Sequence, residues 1–183
     1  MSTPSVTIPE NAAFWSETLF KLERPVMLSA DEFDAYWPLV STVYTKLGGA
    51  LTQQNGDVVV QKYECRLRKS KKGGRAAPLK EGARKRYNTK VRPPGLCQVR
   101  IKITRTVAAP VAVTLERLDA EEHQHDLARS REIAPSVLAI QLAAAETAKG
   151  YAPAEVMKVL KGAGTLQGTT TPLEAIGGAH MTR

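Results

Sequence analysis

Cysteine is nearly absent from this chain of 183 residues: Cys65 and Cys97 are the only two. A disulfide scaffold is therefore excluded. Aromatic residues make up 5% of the chain, so the core is expected to be modest. No apolar run approaches the about 18 residues that a membrane helix needs, and no membrane association is expected. Residues 1–15 have neither a basic start nor an apolar stretch. No secretory leader is expected, which makes a reducing, intracellular compartment the default. Internal repeats are missing too. So are a nucleophile–base pairing and a Gly-rich phosphate loop leading into a helix, since Lys72-Gly73-Gly74-Arg75 is too short for one. The expectation is a protein that is not an enzyme.

What the chain does have is positive charge in one place. The formal net charge is +8. Residues 56–105 hold sixteen basic and three acidic side chains, whereas both flanks are mildly acidic. A cationic block of this size attracts a polyanion through counterion release. A solvated loop or a nuclear-import signal would look the same by charge alone.

The local patterns outline an α+β chain. Ser29-Ala30-Asp31-Glu32 reads as a capping box, in which Ser29 and Glu32 satisfy each other's backbone N–H. Phe33, Tyr36, Trp37, Val40, Val43, Tyr44 and Leu47 follow at helical spacing, with a break at Pro38 and an end at Gly48-Gly49. Asn55-Gly56 between two extended runs predicts a hairpin. From Cys97 to Ile103 the residues alternate, with Cys97, Val99, Ile101 and Ile103 on one face and polar or basic residues on the other. Val111 to Leu118 reads as a further strand.

These patterns predict a flexible arm over 1–27, a sheet domain over 28–130 with a basic loop at 69–95, a helical hairpin over 131–162 and a disordered tail over 163–183. The sheet is expected to be small and antiparallel, with four or so strands, an N-terminal helix before it and the C-terminal helical hairpin after it. Val137, Leu138, Ile140, Leu142, Val156, Val159 and Leu160 are read as the core of that hairpin, with a protein partner as the other use of its surface.

Four of the five cysteines and histidines fall in the order Cys65, Cys97, His123-x-His125. In extended backbone, residues i and i+2 point to the same side, so both imidazoles can converge. If the strands carrying Cys65 and Cys97 pair, two thiolates and two imidazoles form a tetrahedral zinc set with no open position. One structural Zn2+ per chain is the resulting expectation. Ordinary buried thiols with an incidental His-x-His, or a disulfide, would fit the same residues. The thirty-one residues between the cysteines differ from the compact two-cysteine, two-histidine finger.

Tyr63-Glu64-Cys65-Arg66, Gly95-Leu96-Cys97-Gln98-Val99-Arg100-Ile101-Lys102, Val113 to Leu118 and Glu122-His123-Gln124-His125-Asp126-Leu127, in that order, resemble the WRKY and glial-cells-missing superfamily of zinc-bound DNA-binding sheets. The pattern is most similar to the branch of FLYWCH fingers, far-red-impaired-response proteins and Mutator-like transposase DNA-binding domains. The resemblance spans roughly residues 28–162 by motif order. It implies a zinc-bound sheet that binds double-stranded DNA, a nuclear location and a role in transcription regulation or descent from a transposon. The WRKYGQK strand of plant WRKY proteins is absent, and no acidic-triad catalytic domain follows, so neither base specificity nor transposase activity is implied.

A polar strand at a sheet edge can reach base edges, and Gln can pair with adenine, so Thr52, Gln53 and Gln54 are the candidate base contacts. Arg66, Arg68, Lys69, Lys71, Lys72, Arg84, Lys85, Arg86, Arg100 and Lys102 are the candidate phosphate contacts. RNA would satisfy the same charge, and a zinc-stabilised protein-interaction module without nucleic acid is the other alternative.

Overall fold

The structure, a computed structural model, describes residues 6–53, 56–68, 95–108, 110–160, 173, 176–178 and 181. The fold is α+β, as the patterns predict. Helix α1 (Ala12–Lys21) leads through β1 (Val26–Ser29) into α2 (Ala30–Tyr36) and two short 3-10 turns, Trp37–Leu39 and Ser41–Val43. Strands β2 (Tyr44–Lys46), β3 (Leu51–Gln53), β4 (Val58–Cys65), β5 (Arg100–Thr106) and β6 (Ala112–Arg117) follow, then α3 (Leu127–Ile133), α4 (Val137–Ala148) and α5 (Pro153–Leu160).

All strand pairs are antiparallel, in the order β1-β6-β5-β4-β2. Strand β3 shares the β4 edge with β2. Between these two edge strands Gly48 adopts φ +72°, a left-handed conformation that only glycine takes without strain. The chain bends there, and one edge strand becomes two. Six strands thus replace the expected four or so, because β1 and β2, at four and three residues, had no alternation long enough to read.

Alternation divides the sheet into two faces. Tyr63, Ile101, Ile103, Val113, Leu115 and Leu28 point inward, where the helices and 3-10 turns cover them. Trp37 packs edge-on against Tyr63, with 5.4 Å between ring centroids. The Arg105 guanidinium lies 5.2 Å over the Phe33 ring. The outer face carries Lys62, Glu64, Arg100, Lys102, Thr104 and Glu116, and at its margins exposes Met27 and Leu51. Leu115 sits fully buried between Val26 and Ile103 on the neighbouring strands. Truncating its side chain to a methyl group leaves a cavity in the core. Leu115→Ala is therefore expected to lower the unfolding free energy of the chain by about 2–5 kcal/mol, read from the denaturant midpoint.

Ser29 caps α2 as predicted. Its hydroxyl accepts from Glu32 N at 3.2 Å, and Glu32 Oε2 accepts from Ser29 N at 2.8 Å. That backbone bond, followed by the one from the Ser29 hydroxyl, holds the Glu32 carboxyl below its usual range. Past Pro38 the predicted helical run fails. Val43 closes a 3-10 turn, and Tyr44, Thr45 and Lys46 pair with Cys65, Glu64 and Tyr63 as a strand. Proline removes a helical donor, Val40, Thr42 and Val43 are β-branched, and an open β4 edge is available. Strands β3 and β4 pair antiparallel on either side of the predicted Asn55-Gly56 turn, with Gln53 opposite Val58; Gln54 and Asn55 lie outside the described residues.

Four other expectations are corrected. Residues 1–27 are not simply an arm: α1 and the start of β1 lie there, and Leu19, Phe20 and Leu22 are buried. In the tail, Leu173 and Ile176 are fully buried, and the Ser136 hydroxyl donates to Ile176 O at 2.5 Å. Leu138 and Val156 are core residues, but Ile140 is exposed; the side chains of Val159 and Leu160 lie outside the described residues. The hairpin is no separate unit, because α4 packs on the Trp37–Leu39 turn. Among the described residues, no helix is long and apolar enough to cross a membrane.

Candidate metal centre

Cys65 is the last residue of β4, placed opposite Tyr44. The chain then turns, with Arg68 N donating to Cys65 O at 2.9 Å. In that turn the backbone N–H of Leu67 points at Cys65 Sγ, 3.4 Å away. Cys97 lies three residues before β5 on the buried side of the alternation, with Val99, Ile101 and Ile103. Both thiols are free and fully buried.

The histidines arrive on the loop between β6 and α3. Arg100 clamps the start of that loop to β5 through two bonds to Asp119, from Nε at 2.9 Å and from Nη2 at 2.6 Å. This pairing, by hydrogen bond first, holds the Asp119 carboxyl below its usual range. Arg117 Nη1 donates to Glu121 O at 3.0 Å. Asp126 ends the loop by capping α3, its carboxylate accepting from Arg129 N at 2.7 Å. The His123-x-His125 segment is thus pinned on both sides.

One ligand atom each from Cys65, Cys97, His123 and His125 lies within 4.8 Å of all the others. Cys65 Sγ is 3.2 Å from His125 Nε2, Cys97 Sγ is 3.2 Å from His123 Nδ1, and the two ring nitrogens are 3.2 Å apart. In a tetrahedral site with metal–sulfur bonds of about 2.3 Å and metal–nitrogen bonds of about 2.0–2.1 Å, neighbouring ligand atoms stand about 3.3–3.8 Å apart. These three distances differ from that range by tenths of an ångström, and with all four atoms within 4.8 Å of one another the four residues could hold a metal ion.

The electrostatics suit a cation. Cys97 is held well below the ordinary thiol range, first by hydrogen bonding from Cys65 and then, against burial, by the two imidazoles. Cys65 is pushed up by the same bond to Cys97 and by burial. Burial disfavours the His125 imidazolium, yet the Cys97 sulfur and the Asp126 carbonyl outweigh it and raise its pKa.

Beyond the ligands lies a layer that their residue types did not announce. The Tyr44 hydroxyl is 3.2 Å from His123 Nε2, 3.1 Å from Phe20 O and 3.3 Å from Leu19 O. Phe20 stacks on the His123 ring at 4.2 Å and 11°. His125 Nδ1 is 3.0 Å from Asp126 O and 3.2 Å from Ser130 Oγ. Asp126 as a helix cap ahead of Leu127-Ala128-Arg129 was the one readable sign of this layer.

The nucleic-acid candidates are dispersed. Thr52 and Gln53 lie exposed on β3, at the sheet edge. Arg68 donates to Gln98 Oε1 at 3.3 Å and pairs with Glu64 at 3.7 Å. Arg66 begins the turn after β4, where its N–H donates to Val43 O at 2.8 Å. Arg100 and Lys102 are engaged by Asp119 and Glu116. Gln54, Lys69, Lys71, Lys72, Arg84, Lys85 and Arg86 lie outside the described residues. Compared with known proteins, the chain matches no family model, no curated protein and no solved structure.

Proposed function

We propose that this chain is a zinc-stabilised, non-enzymatic DNA-binding protein, located in the nucleus, which acts as a transcription regulator or derives from a Mutator-like transposase DNA-binding domain. Zinc is favoured by the donor set, since two thiolates and two imidazoles in a closed four-ligand arrangement suit this ion. The ion would supply structural cross-linking, with all four positions filled by the protein.

The observation that carries the DNA reading is where the positive charge is anchored. Residues 56–105 hold sixteen basic residues, and the stretch between Cys65 and Cys97 is bounded at both ends by candidate metal ligands. The cross-link would hold both ends of the cationic segment against the sheet, with Thr52 and Gln53 on the exposed β3 edge as base contacts. Metal content and duplex binding of the purified chain test the proposal together. One zinc per chain and binding of a duplex at 50 mM salt are expected. No duplex binding at about 100 µM protein, the weak end of non-specific affinity, would sink the DNA reading.

A second reading, a zinc-stabilised protein-interaction module, draws on Arg100 and Lys102. Acids already neutralise both on the outer face, which also exposes Met27 and Leu51. Competition of labelled duplex by RNA separates the remaining alternative.

A further inference from the structure

The two histidines face the cluster with different ring atoms: His123 presents Nδ1, and His125 presents Nε2. We infer that Tyr44 is a positioning residue for the metal centre: its hydroxyl fixes Nδ1 as the ligating atom of His123 and ties the metal to the C-terminal end of α1. This rests on the metal reading above and adds a role for a residue outside the ligand set.

A ligating imidazole keeps a proton on its other nitrogen and needs an acceptor for it. For His123 that nitrogen is Nε2, and the acceptor 3.2 Å away is the Tyr44 oxygen. A phenol has one proton to give. Phe20 O at 3.1 Å and Leu19 O at 3.3 Å are the carbonyls in reach. Both belong to the last turn of α1, whose carbonyls lack partners within the helix and form its negative pole. The bonds therefore run in one direction, from His123 Nε2–H to the Tyr44 oxygen and from the Tyr44 O–H to the helix end. A hydroxyl that donates is a better acceptor, so the chain increases electron density on the ligating Nδ1.

The surroundings leave the His123 ring no alternative. Phe20 lies flat on it. Tyr44 is buried. Trp37 stacks against the Tyr44 ring with 5.8 Å between centroids. His125 gains its own acceptors from the α3 side, Asp126 O and Ser130 Oγ. The metal would thus join two segments of the chain, α1 through Tyr44 and α3 through His125.

Tyr44→Phe retains the ring packing and removes only the hydroxyl. With zinc saturating, 15N NMR of the imidazoles is expected to show wild-type His123 bound through Nδ1 with a slowly exchanging Nε2–H. Tyr44→Phe should lose that N–H signal while keeping the His125 Nδ1–H signal. Zinc affinity, measured by competition with a chromophoric chelator, should fall about 10–100-fold. Ser130→Ala should leave the His123 signal in place. Coordination of His123 through Nε2 in the wild type overturns the inference, and this readout stands even if Tyr44→Phe fails to fold. Unchanged affinity in Tyr44→Phe, or loss of both imidazole signals together, overturns it as well. A wild-type chain that takes up no zinc fails earlier and removes the metal reading itself.

Discussion

Stripping the metal from the purified chain with a strong chelator is expected to abolish its cooperative thermal transition. Closed zinc sites in small domains contribute an apparent about 10–16 kcal/mol at neutral pH. A domain of this size has a net stability of only about 5–15 kcal/mol, so the loss is comparable to the whole of it. The geometry explains why. The ligands come from the end of β4, the approach to β5 and the loop before α3, and α1 leans on the same point through Phe20 and Tyr44. Without a cation, two buried sulfurs and two imidazoles crowd within 4.8 Å, carrying charge that the site can neutralise only by moving protons. Cys97→Ser should behave like chelation, because a hydroxyl is a poor zinc ligand and does not ionise at neutral pH. Trp37 is two rings from the centre, stacked on Tyr44, and its fluorescence should shift on metal loss. A metal-free chain that melts cooperatively at the same temperature as the untreated chain would refute the structural role.

Duplex DNA affinity is expected to fall about 1,000-fold between 50 and 200 mM salt. Neutralising about six phosphates gives a log–log slope near −5, and a fourfold rise in salt raised to that power yields the factor. The charge needed lies within residues 56–105. Arg100 and Lys102 should contribute little, since Asp119 and Glu116 already hold them. Arg100→Gln would instead loosen the start of the histidine loop, lowering metal affinity more than DNA affinity at saturating zinc. Replacing Lys69, Lys71, Lys72, Arg84, Lys85 and Arg86 by Gln should flatten the slope toward zero, with the melting temperature little changed. A slope that stays near −5 in that variant would move the contact surface elsewhere; a wild-type slope near zero would discard the electrostatic account. Chelation should weaken binding, because it releases both ends of the basic segment from the sheet while leaving its charge in place.

The legible features were the local ones. The Ser29–Glu32 capping box, the antiparallel pairing of the two runs that flank Asn55-Gly56 and the alternation from Cys97 to Ile103 follow from residues a few positions apart, and each is present. The four metal-ligand candidates were legible by residue type, because few thiols and imidazoles are available in this chain. Misreadings arose where distant contacts overrode a local pattern. Val43, Tyr44 and Leu47 keep helical spacing, yet the open β4 edge takes Tyr44 into a strand. The short α1 has no side-chain cap at Asn11, and it belongs to the core because Leu19 and Phe20 reach the metal side of the fold.

By itself the sequence determined that the chain is α+β, where its cationic block lies and which four side chains can converge on a metal. Those facts follow from residue type and short spacing, which the backbone's own periodicities preserve. Only the tertiary structure decided that the edge strand splits at Gly48, that Leu173 and Ile176 return to the core, and that Tyr44 stands between His123 and the end of α1. The Tyr44 contacts join residues 24 to 79 positions apart. Chain closure over such lengths leaves no periodic trace, so it takes the packed core to bring those partners together.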